Sequence, residues 1–225
     1  MEPVPVEPVR LTYAFDAYCG WCYGFGPAVH DFARRHADRI ELRVLSGGLF
    51  TGPQAVPVSA FPYISEANAR IAQLTGATFG AAYEKTLARG SAVMDSADAA
   101  AGLIALRRQA PERMLDAVDA MQRAWYQDGR SLSDVQVHRD IAEHLGLDAD
   151  AVAADYAAPD SRGQAEREFR EVRSLGVRGY PTLLLHTPAG PARLGGPLSS
   201  ADELTQALEQ YLAAEGGRPD RLGSA

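Results

Sequence analysis

Strand-type alternation is confined to the two ends of this 225-residue chain, and the long stretch between them reads as helix. At the N-terminal end, Leu11, Tyr13 and Phe15 alternate with Arg10, Thr12 and Ala14, which predicts a strand over 10–15. Ile40 to Leu45 alternates in the same way. Between them Phe25, Val29 and Phe32, then Ala33 and His36, recur at helical spacing, so a helix is expected over about 21–37. Pro27 falls inside it and removes one backbone hydrogen bond, so the helix should bend there or begin in earnest near Gly26. Strand, helix, strand in this span implies a parallel pair joined by a right-handed crossover.

At the other end a helix is expected over 161–175, capped by Asp160 and stopped by Gly176. The apolar run Thr182 to His186 is a strand, residues 187–190 turn, residues 191–194 return, and Gly195-Gly196 ends the pair. A last helix over 201–214 has Ser200 or Ser199 as its cap. In the middle, residues 51–62 hold three prolines and read as loop. From Ile64 to about Tyr156 the pattern is helical and rich in alanine. Met114, Val118, Met121 and Trp125 form one core stripe, and Val137, Ile141 and Leu145 another, with Ser133 as N-cap and Gly146 as stop. Four to six helices fit there. The strands of both ends then belong to one mixed sheet, split by an all-helical insertion. The expected division is 9–55 with 160–215 for the sheet domain, 56–159 for the insertion, and flexible ends at 1–8 and 216–225.

A net charge of −7 and the lack of a basic run exclude the usual nucleic-acid binder and an attraction to anionic membranes. No apolar stretch approaches the eighteen or so residues of a membrane span. Residues 1–8 lack the basic start, apolar core and small-residue site of a secretory leader, so a cytoplasmic protein is expected.

The whole chain has two cysteines, Cys19 and Cys22. A pair three positions apart closes almost no loop and adds little by chain entropy, and structural disulfides are rare in the cytosol. The pair therefore reads as a reagent rather than a staple. Cys19 stands where the loop after the first strand becomes a helix. Free backbone N–H groups and the helix dipole there favour a thiolate, so its pKa should be depressed, to about 3.5–7.5 as in other Cys-X-X-Cys sites. Cys22, a turn further in, should be more buried and nearer its normal pKa. Cys19 would then form the mixed disulfide with a protein substrate and Cys22 would resolve it. Gly20 and Trp21 between them bring no charge. A zinc site would need a second half, and the five histidines provide none, His138 and His144 being six apart. No metal or cofactor is expected. Inert core cysteines would not call for flanking Gly and Trp at a strand-to-helix junction.

The chain resembles the DsbA-like thioredoxin-fold proteins, of the FrnE-like branch. Three features carry this: Phe15-Asp16-Ala17-Tyr18-Cys19-Gly20-Trp21-Cys22, Gly176-Val177-Arg178-Gly179-Tyr180-Pro181-Thr182, and the helical insertion between them. Met94-Asp95-Ser96 and the segment from Ala124 to Leu132 are further, weaker signals. The resemblance implies an α/β thioredoxin-like fold with an all-helical insertion domain. It implies a cis Tyr180–Pro181 bond facing the cysteines and a Tyr180 backbone that pairs with a bound peptide. It also implies a thiol–disulfide oxidoreductase acting on protein disulfides or thiols; the recycling reductant, a thioredoxin or a glutathione system, is not given by the sequence. The dipeptide Gly20-Trp21 replaces the Pro-His of DsbA itself, which argues for reductase or isomerase rather than oxidase. Two alternatives stand beside this reading. One is a glutathione-dependent enzyme like 2-hydroxychromene-2-carboxylate isomerase or the kappa-class transferases, whose single serine or cysteine contrasts with the pair here. The other is a non-catalytic peptide-binding or holdase module. Asp16 could receive a proton during exchange or hold a water, or simply cap the loop. Trp21 and Tyr18 could line the substrate surface or shield the sulfurs. His30 reads as a helix-face residue.

Overall fold

The computed structural model describes residues 7–216. The flexible ends expected over 1–8 and 216–225 lie, apart from residues 7, 8 and 216, outside the described residues. Four strands, β1 (Val9–Phe15), β2 (Ile40–Ser46), β3 (Thr182–Thr187) and β4 (Gly190–Gly195), form one sheet in the order β2-β1-β3-β4. β1 runs parallel to β2 with Tyr13 opposite Val44, and antiparallel to β3 with Tyr13 opposite Leu183. The sheet is thus mixed and draws its strands from both ends of the chain.

Period-two alternation divides the apolar residues between the two faces. Leu11, Tyr13 and Phe15 pack with Phe25 and Val29 of α1 (Gly20–Arg35) and with Leu204 and Leu208 of α9 (Ala201–Gly216). Ala14, Leu45 and Leu184 meet Val172 of α8 (Pro159–Ser174) on the other side. Between β2 and α8 come α2 (Ile64–Thr75), α3 (Ala81–Arg89), α4 (Ser96–Gln109), α5 (Met114–Tyr126), α6 (Val135–His144) and α7 (Ala149–Ala157). Among the described residues no strand runs between 64 and 156; Val93 makes one isolated bridge to Pro57. One buried cluster continues from Leu11 and Phe25 through Met121 and Trp125 to Ile141, so sheet and helices share a core. No helix among the described residues is long and apolar enough to cross a membrane.

Several boundaries differ from the expected ones. Residues 52–54 and 58–60 of the proline-rich loop form two short 3-10 turns. α1 begins at Gly20 and runs unbroken through Pro27, ending at Arg35. The cap of α6 is Asp134, not Ser133: its carboxylate accepts from the Gln136 N–H, and an ionised cap meets the helix dipole better than a hydroxyl. Asp160 does not cap α8. Pro159 enters the first turn instead, where its missing N–H costs nothing, and Asp160 pairs with Arg108 and Arg167. Ser200 does cap α9, its Oγ accepting from the Glu203 N–H at 3.2 Å while Glu203 accepts from the Ser200 N–H at 2.8 Å.

His138 of α6 gives this core a pH dependence. Its ring is fully buried, Nε2 donates to the Leu132 carbonyl at 2.8 Å, and Nδ1 has no partner. Burial pushes its pKa down from 6.5 to about 4. The folded state keeps the ring neutral while the unfolded chain takes up a proton, so this stability is complete above about pH 6.5 and lost as pH falls toward 4. Urea unfolding should show the wild type losing up to about 3 kcal/mol over that window from this group. His138→Gln, which cannot titrate, should lack that part of the slope; equal slopes would remove His138 from the account.

Candidate functional site

Cys19 is the N-cap of α1, with φ −85° and ψ 109°. Its N–H donates to the Asp16 carbonyl at 3.1 Å, and its carbonyl accepts the Tyr23 N–H at 3.1 Å, so the loop end and the first helical turn both fix it. Cys22 follows one turn later on the face toward the sheet. Both are free thiols, Cys19 6% exposed and Cys22 fully enclosed, so any large substrate meets Cys19 first. Burial pushes the Cys22 thiol well above its ordinary pKa, and the adjacent Cys19 adds to the rise.

The segment before β3 comes to this point from 161 residues further along the chain. The Tyr180–Pro181 peptide bond is cis, and the Cys19 thiol donates to the Tyr180 carbonyl at 3.5 Å. The Tyr180 hydroxyl donates to the Gly47 carbonyl at 2.6 Å, just past β2. Gly47 is required there, since a Cβ on it would lie 2.1 Å from the Tyr180 ring. Three loops therefore converge: the end of β1 with Cys19, the end of β2 with Gly47, and the entry to β3 with Tyr180 and Pro181.

Asp16 ties two of these loops together. Its carboxylate is 1% exposed and accepts N–H bonds from Tyr18 at 3.0 Å and Leu49 at 2.7 Å. Burial lifts its pKa above the ordinary carboxylate value, against the pull of those N–H donors. Trp21, half-buried, lines a cavity of about 150 Å³ beside Cys19, together with Tyr18, Leu49, Phe50 and Trp125. His30 lies elsewhere on α1 and pairs with Asp116 of α5 at 3.0 Å. Among the described residues no cluster of three or more His, Cys, Asp or Glu is arranged to hold a metal ion.

Some of these roles were not read from the chain. Gly47 looked like a strand breaker only, and its contact with Tyr180 spans 133 residues. Trp125 belonged to a core stripe, yet its buried ring also walls the cavity and meets Tyr18 edge-on at 5.0 Å between centroids. Tyr13 carried an inward signal from alternation, but nothing in the sequence tells where its hydroxyl ends. Gly47→Ala should displace the Tyr180 ring without touching either cysteine. Turnover of a protein disulfide should fall by about 10- to 100-fold, the usual consequence of an ångström-scale displacement of a positioning group. The rate of Cys19 alkylation should stay within twofold, roughly. Full turnover in this variant would show that the Tyr180 contact is dispensable.

A family description, the DSBA-like thioredoxin domain, matches residues 10–209. No curated protein matches the sequence. Among solved structures, the cytosolic disulfide reductase DsbM from Pseudomonas aeruginosa is 31% identical, covering 91% of this chain and 99% of its own, with a TM-score of 0.78. The same protein with glutathione matches at the same identity and coverage with a TM-score of 0.75. A candidate protein disulfide isomerase from Nitrosomonas europaea is 20% identical, covering 93% of this chain and all of its own, with a TM-score of 0.79; that likeness speaks for the fold alone.

Proposed function

The chain belongs to the DSBA-like thioredoxin domain family, a family of thiol–disulfide oxidoreductases, and from that premise we propose that it reduces or isomerises protein disulfides through Cys19 and Cys22. The observation that carries the reading is the contact of the Cys19 thiol with the Tyr180 carbonyl, 3.5 Å apart, at the more accessible of the two sulfurs. When Cys19 ionises, that carbonyl loses its donor and becomes free for an N–H of an extended substrate strand. The Cys19 thiolate attacks a substrate sulfur; a Cys19–substrate bond forms and the other substrate sulfur leaves with the electron pair. The Cys22 thiolate then attacks Cys19, the Cys19–Cys22 bond forms, and the second substrate sulfur leaves as a thiolate that takes up a proton. Substrate gains two electrons and the dithiol loses two. In this reading Tyr180, Pro181 and Trp21 hold the substrate and Asp16 fixes the loops that aim Cys19.

The cytosol is the proposed compartment, in keeping with the DsbM relative, and the FrnE-like branch the proposed subgroup. Glutathione is the proposed recycling reductant, because that relative has been solved with it. The division of the chain at 55 and 160 into sheet domain and insertion is proposed with the same fold logic. The test is insulin reduction by the purified chain with glutathione as electron source. Precipitation of the freed B chain well ahead of the uncatalysed control is expected. No acceleration, together with glutathione conjugation to small aromatic electrophiles, would favour the isomerase or transferase alternative instead. Neither activity, with suppression of client aggregation, would favour the holdase.

A further inference from the structure

The resolving sulfur has a problem that Cys19 does not. Cys22 is enclosed, its pKa is high through burial first and through Cys19 second, and the Asp16 carboxylate also opposes its ionisation. Attack on Cys19 requires the Cys22 thiolate, so something must stabilise that charge as it forms. The groups facing it can be taken in turn. The Asp16 backbone already favours the Cys22 thiolate through a hydrogen bond, whereas its carboxylate is negative when ionised and accepts from Tyr18 and Leu49. Tyr180 spends its hydroxyl on the Gly47 carbonyl. Tyr126 of α5 has its pKa raised by burial first and by Tyr83 second, ahead of the cysteines.

Tyr13 remains. It sits at the centre of the sheet, between Val44 and Leu183, with its ring against Phe15 and Phe25. Phe25 is one helical turn beyond Cys22 on the same buried face of α1. The Tyr13 hydroxyl is buried and has no hydrogen-bond partner, and its pKa is raised by burial first and by the nearby Cys22 second. A buried hydroxyl left unpaired costs the folded state stability. Tyr13 and Gln122 of α5 also line a cavity of about 710 Å³ between α1 and α5, and the Gln122 Nε2 is likewise unpaired. Its lining also includes His30, Asp31 and Arg34 of α1 and Asp119 and Arg123 of α5. Cys19, Tyr180 and Pro181 are not among its lining residues.

We propose that Tyr13 is the positioning residue of the resolving step, its hydroxyl donating a hydrogen bond to the Cys22 sulfur as the thiolate forms. Cys22 gives up its proton and attacks Cys19, the Cys19–Cys22 bond forms, and the substrate sulfur leaves with the electron pair of the broken bond and takes up a proton. This role rests on the dithiol reading above. Tyr13→Phe keeps the ring packing and removes only an unpaired hydroxyl, so the variant should fold with a melting temperature no lower than that of the wild type.

Reaction with dithiobis(nitrobenzoate) separates the two steps. A first release of coloured thiolate reports attack by Cys19, and a second reports resolution by Cys22. In Tyr13→Phe the first phase should keep its rate. The second should slow about tenfold or more at pH 7, with its pH midpoint shifted up by about one unit, as loss of a hydrogen bond to a charged group predicts. In Cys22→Ser the second phase should vanish with or without Tyr13→Phe. A second phase of unchanged rate and midpoint in Tyr13→Phe, beside a normal wild type, would overturn the role of Tyr13 alone. A wild type that shows no second phase would overturn the dithiol reading and Tyr13's part in it together.

Discussion

Cys19→Ser is expected to reduce protein-disulfide exchange to the uncatalysed rate, a loss of about a thousandfold or more, as removal of a nucleophile generally does. A serine hydroxyl does not ionise at neutral pH and cannot be regenerated by thiol exchange, so neither the mixed disulfide nor the internal disulfide can form. Cys22→Ser should behave differently. Cys19 remains at the N-cap of α1, in contact with the Tyr180 carbonyl, and still attacks. Without the resolving sulfur the complex accumulates, and a covalent enzyme–substrate band should appear on a non-reducing gel and vanish with reductant. The asymmetry follows from burial: 6% exposure at Cys19 against none at Cys22. If the two variants trapped substrate equally, the order of the sulfurs would be wrong.

The largest expected change in stability comes from Arg107→Met. Arg107 of α4 reaches across to Glu168 of α8, and its other nitrogen donates to the Val44 carbonyl at 3.1 Å. The Glu168 side chain is 7% exposed. Burial lifts the Glu168 pKa above its ordinary value, with Arg107 working against that rise. Removing the guanidinium strands the carboxyl, and breaking a buried pair in this way costs about 3–5 kcal/mol. The lower part of that range is expected, because Arg107 is 21% exposed and water can reach it. Without Arg107 the folded-state pKa of Glu168 rises further. A raised carboxyl keeps its proton in the fold, so the penalty is smallest below about pH 4 and grows as pH rises. Urea unfolding at several pH values checks both size and sign. Arg107→Met with Glu168→Leu together should recover most of the loss, since a paired replacement leaves no buried charge. An Arg107→Met variant as stable as wild type at pH 7 would show that the α4–α8 contact is held by Ala100, Ile104, Ala165 and Phe169 alone.

Local features were legible in the chain because local physics decides them. Alternation at Leu11, Tyr13 and Phe15 assigned β1 and the face that packs with Phe25 and Leu204, since a strand shows its period within a few residues. The cysteine pair announced itself by spacing and by being alone. Helix ends were less legible where two candidates compete. Ser133 and Asp134 both suit a cap, and the choice falls on the charged one. Asp160 looked like a cap until Pro159 took the first turn. Least legible were contacts that only folding creates. Nothing near Gly47 in sequence mentions Tyr180, and nothing near Asp16 says that the Leu49 N–H will point at it. The site depends on those contacts, because they aim the two sulfurs that the sequence identifies.

A mass balance on one turnover shows whether Cys19 and Cys22 carry the electrons. Reduced chain is mixed with one equivalent of a protein disulfide, quenched with acid and alkylated. The chain should lose two hydrogens, a Cys19–Cys22 disulfide should be found by peptide mapping, and the substrate should gain two alkylated thiols in equal amount. A chain that leaves the reaction with both Cys19 and Cys22 alkylated, beside an untouched substrate, would contradict the dithiol reading.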